Sequence, residues 1–318
     1  NLDGVETESN DTLEDADEIF LGNPVTGDVS LGDHRGGSWD PDEDWYVVDI
    51  AAPGVLTVDL DSTGVASLTS DYFTITVYDS NTNVLASRSG DGVEAANSSY
   101  GYVEEGDLAF QVAATAPGLY YIEVTDGTRA VGTNSENDRY KEDPYALSVT
   151  LEEGSFAGYE TEGNSTNPYH QQADERTQDI LNFGETIQGS LWDRHDQDWY
   201  VLEIDAPGIV TLDLSSQGYV DNYWQNSEFF KIELYDLAGT NGADSDNGQP
   251  LGYAAGNGSD ISIETAITDP GNYYVRVFND TDGQDNITND PYQLNASFEV
   301  GNLDGVETES NDTLEDAD

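Results

Sequence analysis

Apolar and polar residues alternate with a period of two along much of this chain. In residues 55–60, for example, Leu56, Val58 and Leu60 alternate with polar side chains. Successive side chains of a β-strand point to opposite faces, so this alternation predicts strands with one buried face. In the first half, strands are predicted at residues 47–50, 55–60, 72–78, 108–113, 119–124 and 145–151.

Turn signals and one helical pattern complete this prediction. Pro-Gly pairs at 53–54 and 117–118 stand just before predicted strands, as turn residues do. Residues 12–22 carry apolar side chains at helical spacing after good cap residues, which predicts a short helix. Many short strands, glycine-rich turns and little helix indicate an all-β fold, an antiparallel β-sandwich.

The second half of the chain repeats the first in the same order. The motif Asp-Trp-Tyr-Val at 44–47 recurs at 198–201, and Asp-Pro-Tyr at 143–145 recurs at 290–292. We therefore expect two tandem sandwich domains, each preceded by an acidic linker and a short helix. The residues expected to face the second core are Val210, Leu212, Leu214, Phe230, Ile232 and Leu234.

The acidic linkers themselves are repeated. Residues 6–12 read ETESNDT, residues 160–166 read ETEGNST, and residues 307–313 copy the first linker. Because residues 1–17 and 302–318 are identical, the repeating unit is a pair of related domains. The predicted parts are a first domain with its linker at 1–153, a second domain at 154–301, and the start of a next repeat at 302–318.

The spacing within these linkers suits a hard cation. Glu6, Glu8 and Asn10 lie at alternate positions, so in an extended segment their side chains share one face. Calcium accepts roughly six to eight oxygen ligands at loosely fixed geometry. The alternative is a solvated acidic linker, but the residue types recur in all three copies. The candidate linker ligands are Glu6, Glu8, Asn10, Asp11, Glu160, Glu162, Asn164, Glu307, Glu309 and Asn311.

A second group of carboxylates stands just before each Asp-Trp-Tyr motif. Alternate aspartates can bring several oxygens within reach of one calcium ion. Alternatively, the last aspartate of each group caps the strand turn through backbone amides. The candidates are Asp40, Asp42 and Asp44 in the first half, and Asp193, Asp196 and Asp198 in the second. Residues 302–318 contain no such group, so we expect an incomplete or borrowed calcium site there.

Composition excludes several classes of partner. With 65 acidic and 9 basic residues, the formal net charge is −56. Such a field repels nucleic acid and anionic membranes, and it requires salt or divalent cations for screening. No apolar run is long enough for a membrane helix, so we expect no membrane insertion. The chain has no cysteine, which leaves metal ions rather than disulfides as the expected stabiliser.

Together the motifs resemble a known family. The acidic E-x-E-x-N opening, D-x-D-W-Y at 42–46, P-G-x-Y-Y at 117–121 and P-Y-x-L at 144–147 are similar to motifs of the bacterial pre-peptidase C-terminal domain. That domain is in turn similar to the collagen-binding domains of clostridial collagenases. The resemblance covers both halves and implies jelly-roll-like β-sandwiches on secreted proteins. The resemblance also implies that, in calcium-binding members, the acidic linker and the aspartates before an early strand share the ion.

The remaining motifs give little support to catalysis. His34, His170 and His195 occupy non-corresponding positions, and neither G-x-S-x-G nor H-E-x-x-H occurs. Residues 280–285 begin like an EF-hand loop, but no glutamate closes it, so we expect an ordinary turn. The aromatic residues within 219–224 either cover one end of the sandwich or bind sugar or peptide.

The sequence therefore predicts a non-catalytic, calcium-binding spacer repeated along a large secreted or surface-anchored bacterial adhesin, such as one acting in biofilms. Its partners would be calcium ions and neighbouring repeats of the same chain, with calcium stiffening the domain junctions. The alternative is a calcium-dependent module, binding collagen-like peptide or polysaccharide, attached to a secreted bacterial hydrolase. Both hypotheses place the protein outside the cell.

Overall fold

The chain folds into two compact units, residues 1–157 and residues 158–318. Within the ranges that the structure describes, no helix is long and apolar enough to cross a membrane. The computed structural model describes residues 4–7, 9–29, 43–62, 73–90, 108–126, 143–161, 179–191, 196–216, 230–236, 250–256, 261–279, 290–301 and 303.

The first unit contains a five-stranded and a four-stranded sheet. Its strands are β1 (Asp17–Glu18), β2 (Val25–Val29), β3 (Glu43–Ile50), β4 (Gly54–Ser62), β5 (Phe73–Tyr78), β6 (Val84–Gly90), β7 (Leu108–Ala114), β8 (Gly118–Asp126) and β9 (Asp143–Glu153). The five-stranded sheet has the order β1-β3-β8-β5-β6, and the four-stranded sheet has the order β2-β9-β4-β7. Only β1 and β3 pair in parallel, and the other described pairs of these sheets are antiparallel.

The second unit repeats this topology strand for strand. Its strands are β10 (Asp179–Ile180), β11 (Thr186–Leu191), β12 (Gln197–Ile204), β13 (Gly208–Ser216), β14 (Phe230–Asp236), β15 (Gly252–Gly256), β16 (Ile261–Ile267), β17 (Gly271–Asn279) and β18 (Asp290–Val300). Their orders are β10-β12-β17-β14-β15 and β11-β18-β13-β16. The predicted all-β fold with two tandem sandwich domains is thereby confirmed.

Each core lies between the two sheets of its unit. In the first unit the alternating residues of β4, Leu56, Val58 and Leu60, are fully buried, and they share one cluster with inward residues of β3, β5 and β8. Each such aliphatic side chain contributes about 1.5–3 kcal/mol by leaving water. The inward residues predicted for the second unit, from Val210 to Leu234, are likewise buried in its own cluster.

The predicted helix over residues 12–22 is wrong. Leu13–Asp15 forms a single 3-10 turn that buries none of its residues, and β1 then pairs in parallel with β3. The Ile19 amide donates to the Val47 carbonyl at 2.9 Å, and the Ile19 side chain enters the core. Extended pairing is favoured because it provides hydrogen-bond partners for the backbone groups at the edge of β3. A helix would instead place like charges four residues apart on one face.

In each unit, a tyrosine hydroxyl forms a hydrogen bond with the backbone of the turn before one central strand. The Tyr120 hydroxyl donates to the Ala116 carbonyl at 2.9 Å, and the Tyr273 hydroxyl donates to the Asp269 carbonyl at 2.6 Å. Both bonds span four residues and close the turn that precedes β8 or β17. They explain why the P-G-x-Y-Y motif recurs, because its first tyrosine makes the bond.

We expect Tyr120→Phe to lower the free energy of unfolding by about 0.5–1.5 kcal/mol, because it removes this hydrogen bond and keeps the ring. Urea denaturation followed by tryptophan fluorescence measures the change. Tyr121→Phe is the matched control, since Tyr121 points to the opposite face of the same strand, and it should stay within about 0.5 kcal/mol. Equal effects of the two changes would contradict a stabilising role for the turn bond.

Candidate functional site

The acidic linker of the first unit lies along the free edge of the four-stranded sheet. Val5 forms a parallel bridge with Thr26 of β2. The Glu6 amide donates to the Thr26 carbonyl at 3.0 Å, and the Thr26 amide donates to the Gly4 carbonyl at 2.9 Å. The linker therefore behaves as a short additional strand, and this pairing decides which face the Glu6 side chain presents.

The second linker docks on its own domain in the same way. Tyr159 bridges Gln188 of β11 in parallel. The Glu160 amide donates to the Gln188 carbonyl at 3.0 Å, and the Gln188 amide donates to the Gly158 carbonyl at 2.8 Å. The threonine after each glutamate adds a further bond, because Thr161 N–H donates to the Asp179 carboxylate at 2.6 Å. The first unit has the same bond between Thr7 and Asp17, also at 2.6 Å.

Each linker glutamate is held by both of its oxygens. Glu6 Oε1 accepts the Asp28 amide at 2.7 Å, and Glu6 Oε2 accepts the Tyr46 hydroxyl at 2.9 Å. Glu160 Oε1 accepts the Ser190 amide at 2.8 Å. The carboxylates are thus oriented by backbone amides of the edge strand, as charge-assisted hydrogen bonds allow.

Two buried tyrosines connect the linker carboxylate to the aspartate before the Trp-Tyr pair. In the first unit the hydroxyls of Tyr46 and Tyr145 lie 2.6 Å apart, and Tyr145 donates to Asp44 Oδ2 at 2.6 Å. Burial, followed by the charges of Asp44 and Glu6, raises the pKa of Tyr46 far above its ordinary value. The phenols therefore remain protonated and serve as hydrogen-bond donors.

The second unit builds the same chain from equivalent residues. The hydroxyls of Tyr200 and Tyr292 lie 2.6 Å apart, and Tyr292 donates to Asp198 Oδ2 at 2.6 Å. Glu160 Oε2 accepts both hydroxyls at 3.3 Å. We call each chain of one glutamate, two tyrosines and one aspartate the carboxylate-phenol chain.

Three acidic side chains are buried in the second unit. Glu160, Asp196 and Asp198 are all buried, and Asp198 is completely inaccessible. Burial, then the charges of Glu160 and Asp196, raises the pKa of Asp198 well above its ordinary range. Among the described residues Asp198 Oδ1 has no hydrogen-bond partner. A cation beside these carboxylates would remove the energetic penalty that the pKa shift reports.

Asn10 occupies an equally unusual position in the first unit. Its side chain is completely buried, yet neither Oδ1 nor Nδ2 has a hydrogen-bond partner in the described part of the chain. Its backbone carbonyl accepts the Trp45 amide at 3.0 Å, which places Asn10 beside the start of β3, where Asp44 lies. A buried amide without partners costs about 1–3 kcal/mol, which an ordered water or a bound ion would offset.

A glycine makes room for each carboxylate-phenol chain. A Cβ atom on Gly27 would lie 2.4 Å from the Tyr145 ring and 2.5 Å from Glu6 Oε2. At the equivalent Gly189, a Cβ atom would lie 2.5 Å from both Glu160 and Tyr292. Glycine is required at both positions because any side chain would displace the carboxylate or the phenol.

The structure brings some predicted ligands together and leaves others outside its described residues. In the first unit Tyr145 contacts both Glu6 and Asp44, and Asn10 lies beside the start of β3. In the second unit Tyr292 contacts both Glu160 and Asp198, and Asp196 is buried as well, whereas Asp11 is exposed. Over the described ranges, no three His, Cys, Asp or Glu side chains have the geometry of a metal site. The predicted ligands outside the described residues are Glu8, Asp40, Asp42, Glu162, Asn164, Asp193, Glu307, Glu309 and Asn311. His34, His170, His195, residues 219–224 and residues 280–285 also lie outside them.

Sequence reasoning missed the tyrosines and glycines of the site. The sequence places Tyr46 and Tyr145 in strand motifs and indicates no role for them beside the carboxylates. The signal was the recurrence of Asp-Trp-Tyr and Asp-Pro-Tyr in both halves, at 44–46 and 143–145 in the first. Nothing in the sequence indicated Gly27, because its neighbours across the sheet are distant along the chain.

A family model for the bacterial pre-peptidase C-terminal domain matches residues 42–126, which lie in the first unit. The match includes β3 with Asp44 and Tyr46, and it ends with β8. The resemblance predicted from the sequence is thereby confirmed for these residues.

Several solved structures show a weak overall similarity. The pre-peptidase C-terminal domain of a collagenase from Bacillus anthracis is 20% identical, covers 42% of this chain and 94% of its own, and has a TM-score of 0.26. PliG, a periplasmic inhibitor of g-type lysozyme from Aeromonas hydrophila, is 17% identical over 39% of this chain and 96% of its own, with a TM-score of 0.26. CorA, a surface-associated copper-binding protein of Methylomicrobium album BG8, is 14% identical. The match covers 43% of this chain and 98% of CorA, with a TM-score of 0.27. Similarities this weak carry no conclusion about function.

We expect Gly189→Ala to lower the free energy of unfolding by about 1–3 kcal/mol, because the new methyl group overlaps Glu160 and Tyr292. Urea denaturation in the presence of a calcium chelator isolates this packing effect. Gly271→Ala is the matched control, since a Cβ atom there meets nothing within 4 Å, and it should change the stability by at most about 0.5 kcal/mol. If Gly189→Ala is as stable as the control, the close approach does not constrain the site.

Proposed function

Starting from the match of residues 42–126 to the bacterial pre-peptidase C-terminal domain, we propose that this chain is a calcium-binding spacer repeat of a large secreted or surface-anchored bacterial adhesin. Each calcium ion binds where an acidic linker meets its own sandwich domain. The proposal treats the protein as non-catalytic and extracellular, in keeping with an accessory β-sandwich module.

One observation carries the calcium proposal. Asn10 presents a buried amide whose polar atoms have no hydrogen-bond partner, and it lies beside the strand that bears Asp44. The donors around it are carboxylate and amide oxygens, which suit a hard cation and give no site to a soft one. The described residues that would hold calcium are Glu6, Asn10 and Asp44 in the first unit, and Glu160, Asp196 and Asp198 in the second. Bound calcium would supply the positive charge that offsets these buried carboxylates.

The origin of the ligands supports a role in stiffening. Glu6 belongs to the linker and Asp44 to the sandwich, so one ion bound to both holds the linker against the domain that follows it. The conformational freedom of the linker, worth about 1–2 kcal/mol per residue, is then offset by ligand bonds. In a chain built of repeated pairs, a fixed linker before each domain would produce an extended and stiff array.

The burial of the site supports a structural role over a catalytic one. Asp44 and Asp198 are inaccessible to solvent, and the tyrosines that contact them are buried as well. Side chains in this position can bind an ion that stays in place, whereas a polymeric substrate needs an open cleft. The repetition of residues 1–17 at 302–318 also favours a function that depends on the length of the chain over a function that depends on one reaction site.

Calcium should stabilise the chain and extend it. At about a hundredfold excess over Kd, a ligand bound only by the folded state adds about 2.7 kcal/mol of stability. Thermal unfolding with calcium, with magnesium and with chelator measures the stabilisation, and small-angle scattering measures the maximum dimension. Magnesium at equal ionic strength controls for general screening of the negative charge. If the chelator changes neither the melting temperature nor the dimension, the spacer hypothesis is wrong.

Asn10→Leu separates coordination from general charge effects, because it keeps the branched shape of the side chain and removes no charge. Without calcium we expect equal or higher stability, by up to about 1–3 kcal/mol, since a buried group without hydrogen-bond partners is lost. With calcium the variant should lose one binding site in isothermal titration. Asn23→Leu, at an exposed position, is the control and should bind like the original chain. Unchanged calcium binding by Asn10→Leu would remove Asn10 from the ligand set.

A further inference from the structure

The linker of the first unit lies on its domain as a surface strand. Residues 4–7 follow the edge of the four-stranded sheet, and none of these four residues belongs to the hydrophobic core cluster. Val5 is 55% exposed, and Thr7 is exposed as well. A segment bound in this way can leave its edge while the two sheets stay packed on each other, because local opening needs less free energy where few apolar side chains are buried.

Glu6 makes the bonds by which the domain recognises this linker. Its amide donates to the Thr26 carbonyl at 3.0 Å. Its Oε1 accepts the Asp28 amide at 2.7 Å, and its Oε2 accepts the Tyr46 hydroxyl at 2.9 Å. A Cβ atom on Gly27 would lie 2.5 Å from the same Oε2, so the carboxylate is closely surrounded. These contacts select an extended segment with a glutamate at one fixed position.

The chain contains a second segment with the sequence of this linker. Residues 302–318 are identical to residues 1–17 at every position, and Glu307 corresponds to Glu6. Every group through which the first linker binds its domain is therefore present a second time. The linker of the second unit is less similar, since Tyr159 stands where the other two linkers have valine. The repeated segment thus matches the edge of the first unit in particular.

We propose that residues 302–311 of one copy bind along β2 of a second copy, in the place of that copy's residues 1–10. We call this event linker exchange. The exchanged hydrogen bonds are the same as those within one copy, so they favour neither arrangement. The balance depends on protein concentration and on the effective concentration of the attached linker, as it does in domain swapping. Linker exchange goes beyond the proposed spacer function and does not require calcium.

Linker exchange would join copies head to tail. The segment that binds and the edge that receives it are different parts of the chain, so each joined copy still offers one of each. Heterologous contacts of this kind produce rings or open filaments. In chains built of repeated pairs, the same contact would cross-link neighbouring chains at many points along their length.

The recognition contacts favour a second copy of this chain over an unrelated strand. An unrelated strand can pair with the backbone of β2, but the bonds of Glu6 to Asp28 and Tyr46 require a glutamate at the matching position. The net charge of −56 opposes association in dilute salt. At about 1 M salt the screening length falls to about 3 Å, and this repulsion is largely removed. We therefore expect linker exchange in concentrated salt.

Sedimentation velocity of the full chain at about 1 M salt tests this proposal. Glu6→Pro removes the amide and the carboxylate through which the attached linker binds, whereas residues 302–318 keep theirs. We expect this variant to associate with a constant at least about tenfold higher than that of the original chain, because the competing linker is gone. The double variant with Glu6→Pro and Glu307→Pro should be monomeric. All samples contain a calcium chelator, and circular dichroism checks that each variant is folded.

A labelled peptide of residues 302–318 tests the same contact by fluorescence anisotropy. It is added to the double variant, in which neither attached segment competes for the edge of β2. We expect the matched peptide with Glu307→Pro to bind at least about tenfold more weakly, because it lacks the bonds of the carboxylate and one amide. If Glu6→Pro prevents folding, both measurements are made with Glu6→Gln, alone and combined with Glu307→Pro.

Each contrary outcome overturns linker exchange. Association that persists in the double variant would place the contact elsewhere on the chain. Monomeric behaviour of the folded variant at position 6 would show that residues 302–318 of one copy do not bind another copy. Equal binding of the two peptides would show that the edge of β2 does not recognise Glu307. Because every sample contains chelator, none of these outcomes affects the calcium proposal, and the two proposals fail independently.

Discussion

The structure of each domain depends on how it accommodates buried carboxylates. The carboxylate-phenol chain runs from the linker glutamate through two tyrosines to an aspartate of the sheet, and in the first unit it joins residues as far apart as Glu6 and Tyr145. Every contact in it is at hydrogen-bonding distance, and the phenols remain protonated because burial raises the pKa of Tyr46. The phenols donate hydrogen bonds to the carboxylates, but they carry no positive charge that could neutralise them. A cation beside these carboxylates would offset their charge, and the proposed calcium ion would in this way connect the linker with the sandwich.

The same constraint explains why the linker is part of the domain. Residues 4–6 pair with β2 and residues 158–160 pair with β11, so the linkers cover sheet edges that would otherwise be open to other strands. This edge pairing presents Glu6 and Glu160 to the buried tyrosines. A metal ion placed at this junction would act on the linker and the sandwich together. Stability and stiffness are then two consequences of one binding event.

The two domains show what a shared framework permits. Their strand orders, edge linkers, carboxylate-phenol chains and turn tyrosines correspond one to one. Their outer sheet faces differ, because a residue there can change without disturbing the core. The position of Glu123 in one unit is that of Arg276 in the other. Glu123 accepts the Tyr78 hydroxyl, whereas Arg276 pairs with Glu233. A repeated module can therefore keep its core and edge linkers while the residues of its outer sheet face vary.

The fold class, the correspondence between the two halves and the inward faces of β4, β5, β13 and β14 all follow from the sequence alone. These depend on a period of two and on turn residues, which are local signals. The helix predicted at residues 12–22 is wrong, because β1 instead pairs with the edge of β3 and satisfies its backbone groups. Strand β2 was not predicted, because its five residues have a glycine at their centre. The sequence also predicted oxygen ligands at Glu6, Asn10 and Asp44 from alternate spacing. Three features are visible only in the folded molecule. Asn10 is buried without hydrogen-bond partners among the described residues, Tyr46 and Tyr145 bridge the carboxylates, and Gly27 makes room for them. The reason is physical: burial and charge compensation arise between strands that are distant along the chain, and no local pattern records them.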